Sequence, residues 1–150
     1  MLRFNSDHKF KIMQIADTQE IPAVSPDTLS LINNALDREK PDLVIFTGDQ
    51  IKGYSKKFKK DPVIIESTID ILVEPIAKRN IPFMVTYGNH DAQCGVDNRG
   101  QYKFYAKYDN FISGDLRNAD DVGTADIQIY SSTEDKPVFD CVFSWQIFYL

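Results

Sequence analysis

The sequence predicts an α/β fold in which a mostly parallel sheet is flanked by helices, and three observations favour it. The run Leu43–Thr47 is continuously apolar or β-branched, which is typical of a strand buried on both faces. Helical patterns alternate with strand patterns along the first ninety residues, as in strand–helix–strand units with right-handed crossovers. Polar side chains directly follow each strand, and ligands collect at the carboxyl ends of such strands.

The composition is that of an ordinary globular domain. The chain has 150 residues, 43% of them hydrophobic and 26% charged, which is enough for a sizeable core. A net charge of −5 argues against nucleic-acid binding as a main role, because phosphate backbones are bound through excess Lys and Arg. Two cysteines are too few for a disulfide scaffold, and neither a signal peptide nor a membrane span is evident. We therefore expect a cytoplasmic protein with no membrane association.

Three strands of the parallel sheet are predicted, at residues 9–16, at Leu43–Thr47 and at residues 81–87. The first alternates before it becomes apolar, and it ends at Asp17. The second ends at Gly48 and Asp49. The third begins with a tolerable Pro82 and ends in a polar cluster at residues 88–91. Each strand of this sheet therefore ends beside a candidate functional side chain.

Three helices are predicted between and after these strands, at residues 26–40, 62–80 and 101–112. Ser25 before Pro26, and Asp61 before Pro62, each place a capping residue ahead of a proline at the first helical position. Apolar residues follow at helical spacing. Pro75 lies inside the second helix and predicts a kink or a fresh turn there.

The last part of the chain has a different pattern. Ala125–Tyr130 and residues 138–143 are strand-like and are separated by a polar turn, which predicts an antiparallel hairpin. Residues 145–150 are nearly all apolar or aromatic, whereas chain ends are normally polar. Exposure of this apolar end would favour self-association.

The three strand ends place several metal-binding side chains together. Neighbouring parallel strands lie about 4.8 Å apart, so Asp17, Asp49 and Asn89 fall within reach of a shared ion. Their oxygens, with a nitrogen from His90, suit Mn, Fe, Zn or Mg. One carboxylate can bridge two cations about 3.5–4 Å apart, and such a pair generates a metal-bound hydroxide that faces phosphorus at neutral pH. The pattern therefore indicates a two-metal hydrolase.

These residues resemble the motifs of the calcineurin-like metallophosphoesterases. The resemblance rests on Asp17, on Gly48-Asp49 and on Gly88-Asn89-His90-Asp91, which occur in that order after the three strands. It implies a phosphatase or related hydrolase that uses two divalent or trivalent metal ions and acts on a small-molecule phosphoester. It also implies the first half of a four-layer α/β/β/α sandwich.

The resemblance implies a role for each motif residue. Asp17 would bind one metal, Asp49 would bridge both, and Asn89 would bind the second. His90 would stabilise or protonate the leaving oxygen, and Asp91 would orient the imidazole of His90, as carboxylates commonly do near metal sites.

Two departures from the family pattern matter. Gln19 stands where the family usually has a histidine, and its side-chain oxygen makes it a further candidate metal ligand. The family also completes both metal sites with later histidines, whereas this chain has only His8 and His90. We therefore expect residues 1–150 to form one truncated metallophosphoesterase domain, and activity of this chain alone is left open.

Two alternatives to an active hydrolase remain. A receiver-like signalling module would bind one Mg²⁺ at its strand-end aspartates, although Asp17-Thr18-Gln19-Glu20 lacks the paired acids that such a module wants. A non-catalytic remnant would bind only a metal or a partner. The lysines at positions 56, 57, 59 and 60 are interpreted as a solvated charge run, or as a group that steers an anionic substrate.

Overall fold

The computed structural model describes residues 1–113 and 122–143. Within these ranges the strands are β1 (Leu2–Arg3), β2 (Ile12–Ile15), β3 (Leu43–Thr47), β4 (Phe83–Thr86), β5 (Ala125–Tyr130) and β6 (Pro137–Phe143). The helices are α1 (Pro26–Glu39), α2 (Pro62–Ala77) and α3 (Asn98–Ala106). Two short 3₁₀ turns cover Lys56–Phe58 and Asp91–Cys94. None of the helices described is long and apolar enough to cross a membrane.

The strands form two sheets. In the first, β2, β3 and β4 are parallel and adjacent in that order, with Met13 opposite Val44 and Ile45 opposite Met84. In the second, β5 lies between β1 and β6, parallel to β1 and antiparallel to β6. The predicted α/β class with a parallel sheet is confirmed, and so is the predicted hairpin.

Strand β3 is buried on both faces, as its sequence indicates. Val44 and Phe46 pack in the larger core with apolar residues of α1 and α2, such as Ile69. Leu43 and Ile45 pack on the opposite face with residues of β4 and β5. Complete burial of each such side chain stabilises the fold by about 1.5–3 kcal/mol. The described residues thus form three layers, helices, sheet and sheet, which agrees with the first part of the expected sandwich.

The starts of α1 and α2 follow from their sequences. The Ser25 hydroxyl accepts a hydrogen bond from the Asp27 N–H at 3.2 Å, and Asp61 Oδ1 accepts from the Val63 N–H at 2.9 Å. Buried Glu20 also supports α1, because its carboxylate accepts from the Ser25 N–H at 3.1 Å and from the Thr28 hydroxyl at 2.5 Å. Side chains thereby satisfy donors that a helix leaves unpaired at its start.

The ends of the helices differ from the prediction. Helix α2 ends at Ala77, two residues after Pro75, and not near residue 80. Helix α3 ends at Ala106 because the chain then turns and Phe111 packs against Phe83 of β4, with ring centroids 5.3 Å apart. The Ile112 N–H donates to the Phe83 carbonyl at 2.7 Å, so this segment extends beside the sheet. The apolar stretch at residues 145–150 lies outside the described residues, and its self-association stays a prediction.

Candidate active site

The loops after β2 and β3 continue side by side beyond the sheet. The Asp17 N–H donates to the Gly48 carbonyl at 3.1 Å, and the Gln19 N–H donates to the Asp49 carbonyl at 2.9 Å. Glu20 then bridges to Ile51 in the same parallel sense. This backbone pairing places Asp17 and Gln19 directly beside Asp49.

The loop after β4 joins them through the side chain of Asp49. Asp49 Oδ1 accepts a hydrogen bond from the His90 N–H at 2.9 Å. Gly88 makes this approach possible, because a Cβ at that position would lie 2.1 Å from Asp49 Oδ1. Gly48 is equally confined, since its Cβ would lie 2.7 Å from the Gly88 nitrogen. The two glycines therefore let the loop after β4 lie against the Asp49 carboxylate.

Three of the predicted ligands have an uncommon backbone conformation. Asp17, Gln19 and Asp49 have φ values of 53°, 46° and 53°, in the left-handed region. Such residues cost on the order of 1–3 kcal/mol each and persist where the surrounding structure holds them. Their concentration at adjoining strand ends is typical of a functional site.

The imidazole of His90 is held by two neighbours that the sequence analysis did not assign to it. Its Nδ1 lies 3.1 Å from Gln93 Oε1, and an amide oxygen can only accept, so Nδ1 carries the proton in this contact. The edge of the ring packs against Tyr54, with centroids 4.8 Å apart. Tyr54 also donates from its hydroxyl to Gln19 Oε1 at 3.4 Å. The exposed Asn89 places its amide nitrogen 3.3 Å from the ring.

Asp91 does not orient the imidazole as expected, because its carboxylate points into the protein. Oδ2 accepts from the N–H groups of Asp49 at 2.8 Å and Gly88 at 2.7 Å, and Oδ1 accepts from the Ile51 N–H at 3.3 Å. Burial raises the pKa of Asp91 to about 6, against the opposing effect of these backbone donors. Asp91 therefore braces the loops after β3 and β4, and Gln93 is the residue that contacts the imidazole.

The donor set fits a hard cation. Asp17 and Asp49 supply carboxylate oxygens, and Gln19 and Asn89 supply amide oxygens, which are ligands suited to Mg or Mn. Within residues 1–113 and 122–143, no three His, Cys, Asp or Glu side chains converge into a metal-binding group. The described residues therefore fit part of the ligand shell that two metal ions would require.

The fold and the strand-end residues define the class of protein. A layered α/β domain whose strand ends carry aspartates, an asparagine and a histidine in this order agrees with the metallophosphoesterase class that the motifs resemble. The family model described as calcineurin-like phosphoesterase matches residues 10–145, and the chain belongs to that family. Membership of this family excludes a receiver-like signalling module.

This chain spans less than a third of the length of the two relatives described next. The chain is 28% identical over 128 residues to the probable inactive purple acid phosphatase 14 of Arabidopsis thaliana, which covers 75% of this chain and 31% of that protein. It is 33% identical over 105 residues to the phosphatase DCR2 of Saccharomyces cerevisiae, covering 60% and 17% respectively. A solved crystal structure matches 68% of this chain and 45% of its own, with a TM-score of 0.50 and 18% identity, which shows a shared fold.

Proposed function

We propose that this chain carries the metal-binding and leaving-group residues of a metal-dependent phosphoester hydrolase. The observation that supports the proposal most directly is the position of Asp49, whose backbone carbonyl accepts from the Gln19 N–H of the loop after β2 and whose carboxylate accepts from the His90 N–H of the loop after β4. Membership of the calcineurin-like phosphoesterase family supports the same reaction class.

Asp17, Gln19, Asp49 and Asn89 are the residues that would hold two divalent or trivalent ions, from among Mn, Fe, Zn and Mg. Bound ions would supply a nucleophile at neutral pH and would neutralise the charge of the phosphoryl oxygens. Asp49 is the proposed bridge because its loop lies between the two others. The left-handed backbone of Asp17, Gln19 and Asp49 at adjoining strand ends supports a functional role for these residues.

His90 is the proposed general acid. As the oxygen of water bonds to phosphorus and the water gives up one proton to solvent, the bond between phosphorus and the leaving oxygen breaks, and the protonated imidazole gives that oxygen a proton. Nδ1 faces the Gln93 amide oxygen, so Nε2 is the nitrogen that we propose gives the proton, once the Asn89 amide nitrogen 3.3 Å away has turned from it. Tyr54 restricts the rotation of the ring through the edge contact. A small-molecule phosphoester is the proposed substrate, and the cytoplasm is the proposed location.

Binding of a metal or partner without hydrolysis is the second candidate function. It is favoured by the shortage of ligands, since no three His, Cys, Asp or Glu side chains of the described residues converge into a metal-binding group. Three relatives from Arabidopsis thaliana whose names include the word inactive favour the same second function.

The test is a comparison of the chain with Asp49→Asn and with Asp27→Asn as the matched control. Asp27 is exposed in the first turn of α1, so its substitution removes the same charge away from the site. Mn²⁺ binding by calorimetry and hydrolysis of p-nitrophenyl phosphate are measured on all three proteins. We expect Asp49→Asn to lower hydrolysis roughly 100-fold or more, because changes beside a metal ligand already cost about 10–100-fold.

The outcomes separate the two candidates. Equal hydrolysis by Asp49→Asn and the unchanged chain would overturn the proposed role of Asp49. Mn²⁺ binding that depends on Asp49, without turnover, would favour the non-catalytic function. Failure of the unchanged chain to bind Mn²⁺ would contradict both the hydrolase and metal binding as the second function.

A further inference from the structure

A cavity of about 260 Å³ adjoins the candidate active site, and lysines dominate its charged lining. We call it the lysine cleft and define it by Tyr54, Lys56, Lys59, Lys60 and Gln93. It lies between the loop after β3 and the 3₁₀ turn Asp91–Cys94. The cleft is smaller than the roughly 300–1,000 Å³ of a typical pocket for a drug-sized ligand, which suits a compact group such as phosphate.

Two residues belong to both the cleft and the candidate active site. The ring of Tyr54 lines the cleft and packs against His90, and Gln93 lines the cleft and contacts His90 Nδ1. A molecule in the lysine cleft would therefore lie one side chain away from the proposed general acid. That separation is suitable for two charged groups of one small substrate.

The lysines of the cleft are free to bind an anion. Within the described part of the chain, none of Lys56, Lys59 and Lys60 forms an ion pair with an acidic side chain. Three lysines that line one cavity are notable in a chain whose net charge is −5. Lysine binds phosphate as a compact point charge.

The lysine-bearing loop is held in a defined shape. Buried Phe58 anchors it from beneath, and the Ser55 hydroxyl accepts from the Lys57 N–H at 3.3 Å. Lys59 and Lys60 both have left-handed backbone, with φ of 54° and 56°. The side chain of Lys60 packs so closely on Gly95 that a Cβ there would lie 2.8 Å from Lys60 Cβ. Two consecutive residues with left-handed backbone are not needed in a run of lysines that is merely solvated. The backbone conformation of Lys59 and Lys60 therefore favours a defined binding surface.

We propose that the lysine cleft binds a second phosphate group of the substrate while the scissile phosphoester lies at His90. The substrate class is therefore a small molecule that carries two phosphate groups. This inference rests on the proposed function, because it assigns the scissile group to the candidate active site.

The test compares two substrates that differ by one phosphate, fructose 1,6-bisphosphate and fructose 6-phosphate. The variant is Lys56→Gln/Lys59→Gln/Lys60→Gln. The control, Lys40→Gln/Lys78→Gln/Lys136→Gln, removes the same charge from the opposite end of the parallel sheet and from the β5–β6 turn. Lys56→Gln alone serves if the triple variant does not fold, since it avoids the left-handed positions.

Phosphate release is measured with Mn²⁺, and binding of each compound is measured by calorimetry in EDTA. An exposed charge pair changes an equilibrium constant by roughly 1.4- to 5-fold, so loss of three cations gives about 10-fold. We expect KM and Kd for the bisphosphate to rise about 10-fold in the cleft variant, with kcat and the control unchanged. The KM for hydrolysis of the monophosphate should change little, because its one phosphate must lie at His90 for turnover.

The two measurements separate failure of this inference from failure of the proposed function. If hydrolysis occurs but the cleft variant has the same KM and Kd as the unchanged chain for both compounds, the second-phosphate site is wrong and the hydrolase function is retained. If hydrolysis is absent but bisphosphate binding in EDTA depends on the lysines, the phosphate-binding role of the cleft is supported and the hydrolase function is overturned. Absence of any lysine-dependent binding overturns the inference in either case.

Discussion

Substitution of Gly88 by alanine should disrupt the meeting point of the strand ends. A Cβ at residue 88 would lie 2.1 Å from Asp49 Oδ1 and 2.6 Å from the Asp49 nitrogen, so the carboxylate and the backbone must both move. Overpacking of this kind costs about 1–3 kcal/mol. Loss of the hydrogen bond from the His90 N–H to the Asp49 carboxylate adds about 1.5–3 kcal/mol. We expect the free energy of unfolding to fall by about 3–5 kcal/mol.

Urea unfolding followed by circular dichroism measures this change, and Gly100→Ala is the matched control. A Cβ at residue 100 would meet a methyl group of Val96 at 2.6 Å, and that side chain can rotate away. Alanine also favours the helix that contains residue 100 by up to about 1 kcal/mol. The control should therefore stay within about 1 kcal/mol of the unchanged chain. A loss below about 0.5 kcal/mol in Gly88→Ala would refute the argument from close contact.

Three further predictions concern stability. In metal-free protein the pKa of Asp91 is about 6, so the folded state keeps a proton that the unfolded state loses from about pH 4 upward. The free energy of unfolding should fall by about 3 kcal/mol between about pH 4 and 6, and urea unfolding of Asp91→Asn should lack that slope. Glu20→Ala removes an acceptor at the start of α1 and should cost about 1–3 kcal/mol by the same assay, with no effect contradicting the capping role. Lys107→Met breaks exposed ion pairs to α2, so the free energy of unfolding, measured by thermal unfolding, should fall by about 1 kcal/mol or less. A larger loss would indicate that these ion pairs belong to a more buried network.

The sequence was informative wherever local chemistry decides the structure. Leu43–Thr47 was predicted to the residue, because a strand buried on both faces needs an unbroken apolar run. The starts of α1 and α2 were predicted because Ser25-Pro26 and Asp61-Pro62 combine a cap with a residue already restricted to helical φ.

Contacts between distant segments account for the errors. Tyr108 and Phe111 fit the helical spacing of α3, yet both pack on Phe83, which lies about twenty-five residues earlier, so the helix ends before them. Strand β1 (Leu2–Arg3) was not predicted, since two residues carry no periodicity and become a strand only by pairing with β5.

The motif predicted the residues that gather at the strand ends, but not all of their contacts. After His90 the chain enters the 3₁₀ turn Asp91–Cys94, which directs the Asp91 side chain inward and brings Gln93, three residues after His90, beside the ring. A polar residue three positions after a histidine was the available signal. Sequence spacing alone could not show which of the two residues would face the imidazole.

The pairing of Leu2 with Ile129 has a consequence for how the chain folds as it is synthesised. The first parallel sheet is complete once residue 86 has been made, whereas the second sheet needs strands from both ends of the described chain. Until β5 arrives, the apolar face that contains Leu43, Ile45 and Met84 lacks the contacts of Ala125 and Ile127. Nascent chains with such a face are prone to aggregate. We therefore expect the β5–β6 hairpin to bury this apolar face late in synthesis. The time until the hairpin forms then determines how long the nascent chain is prone to aggregate.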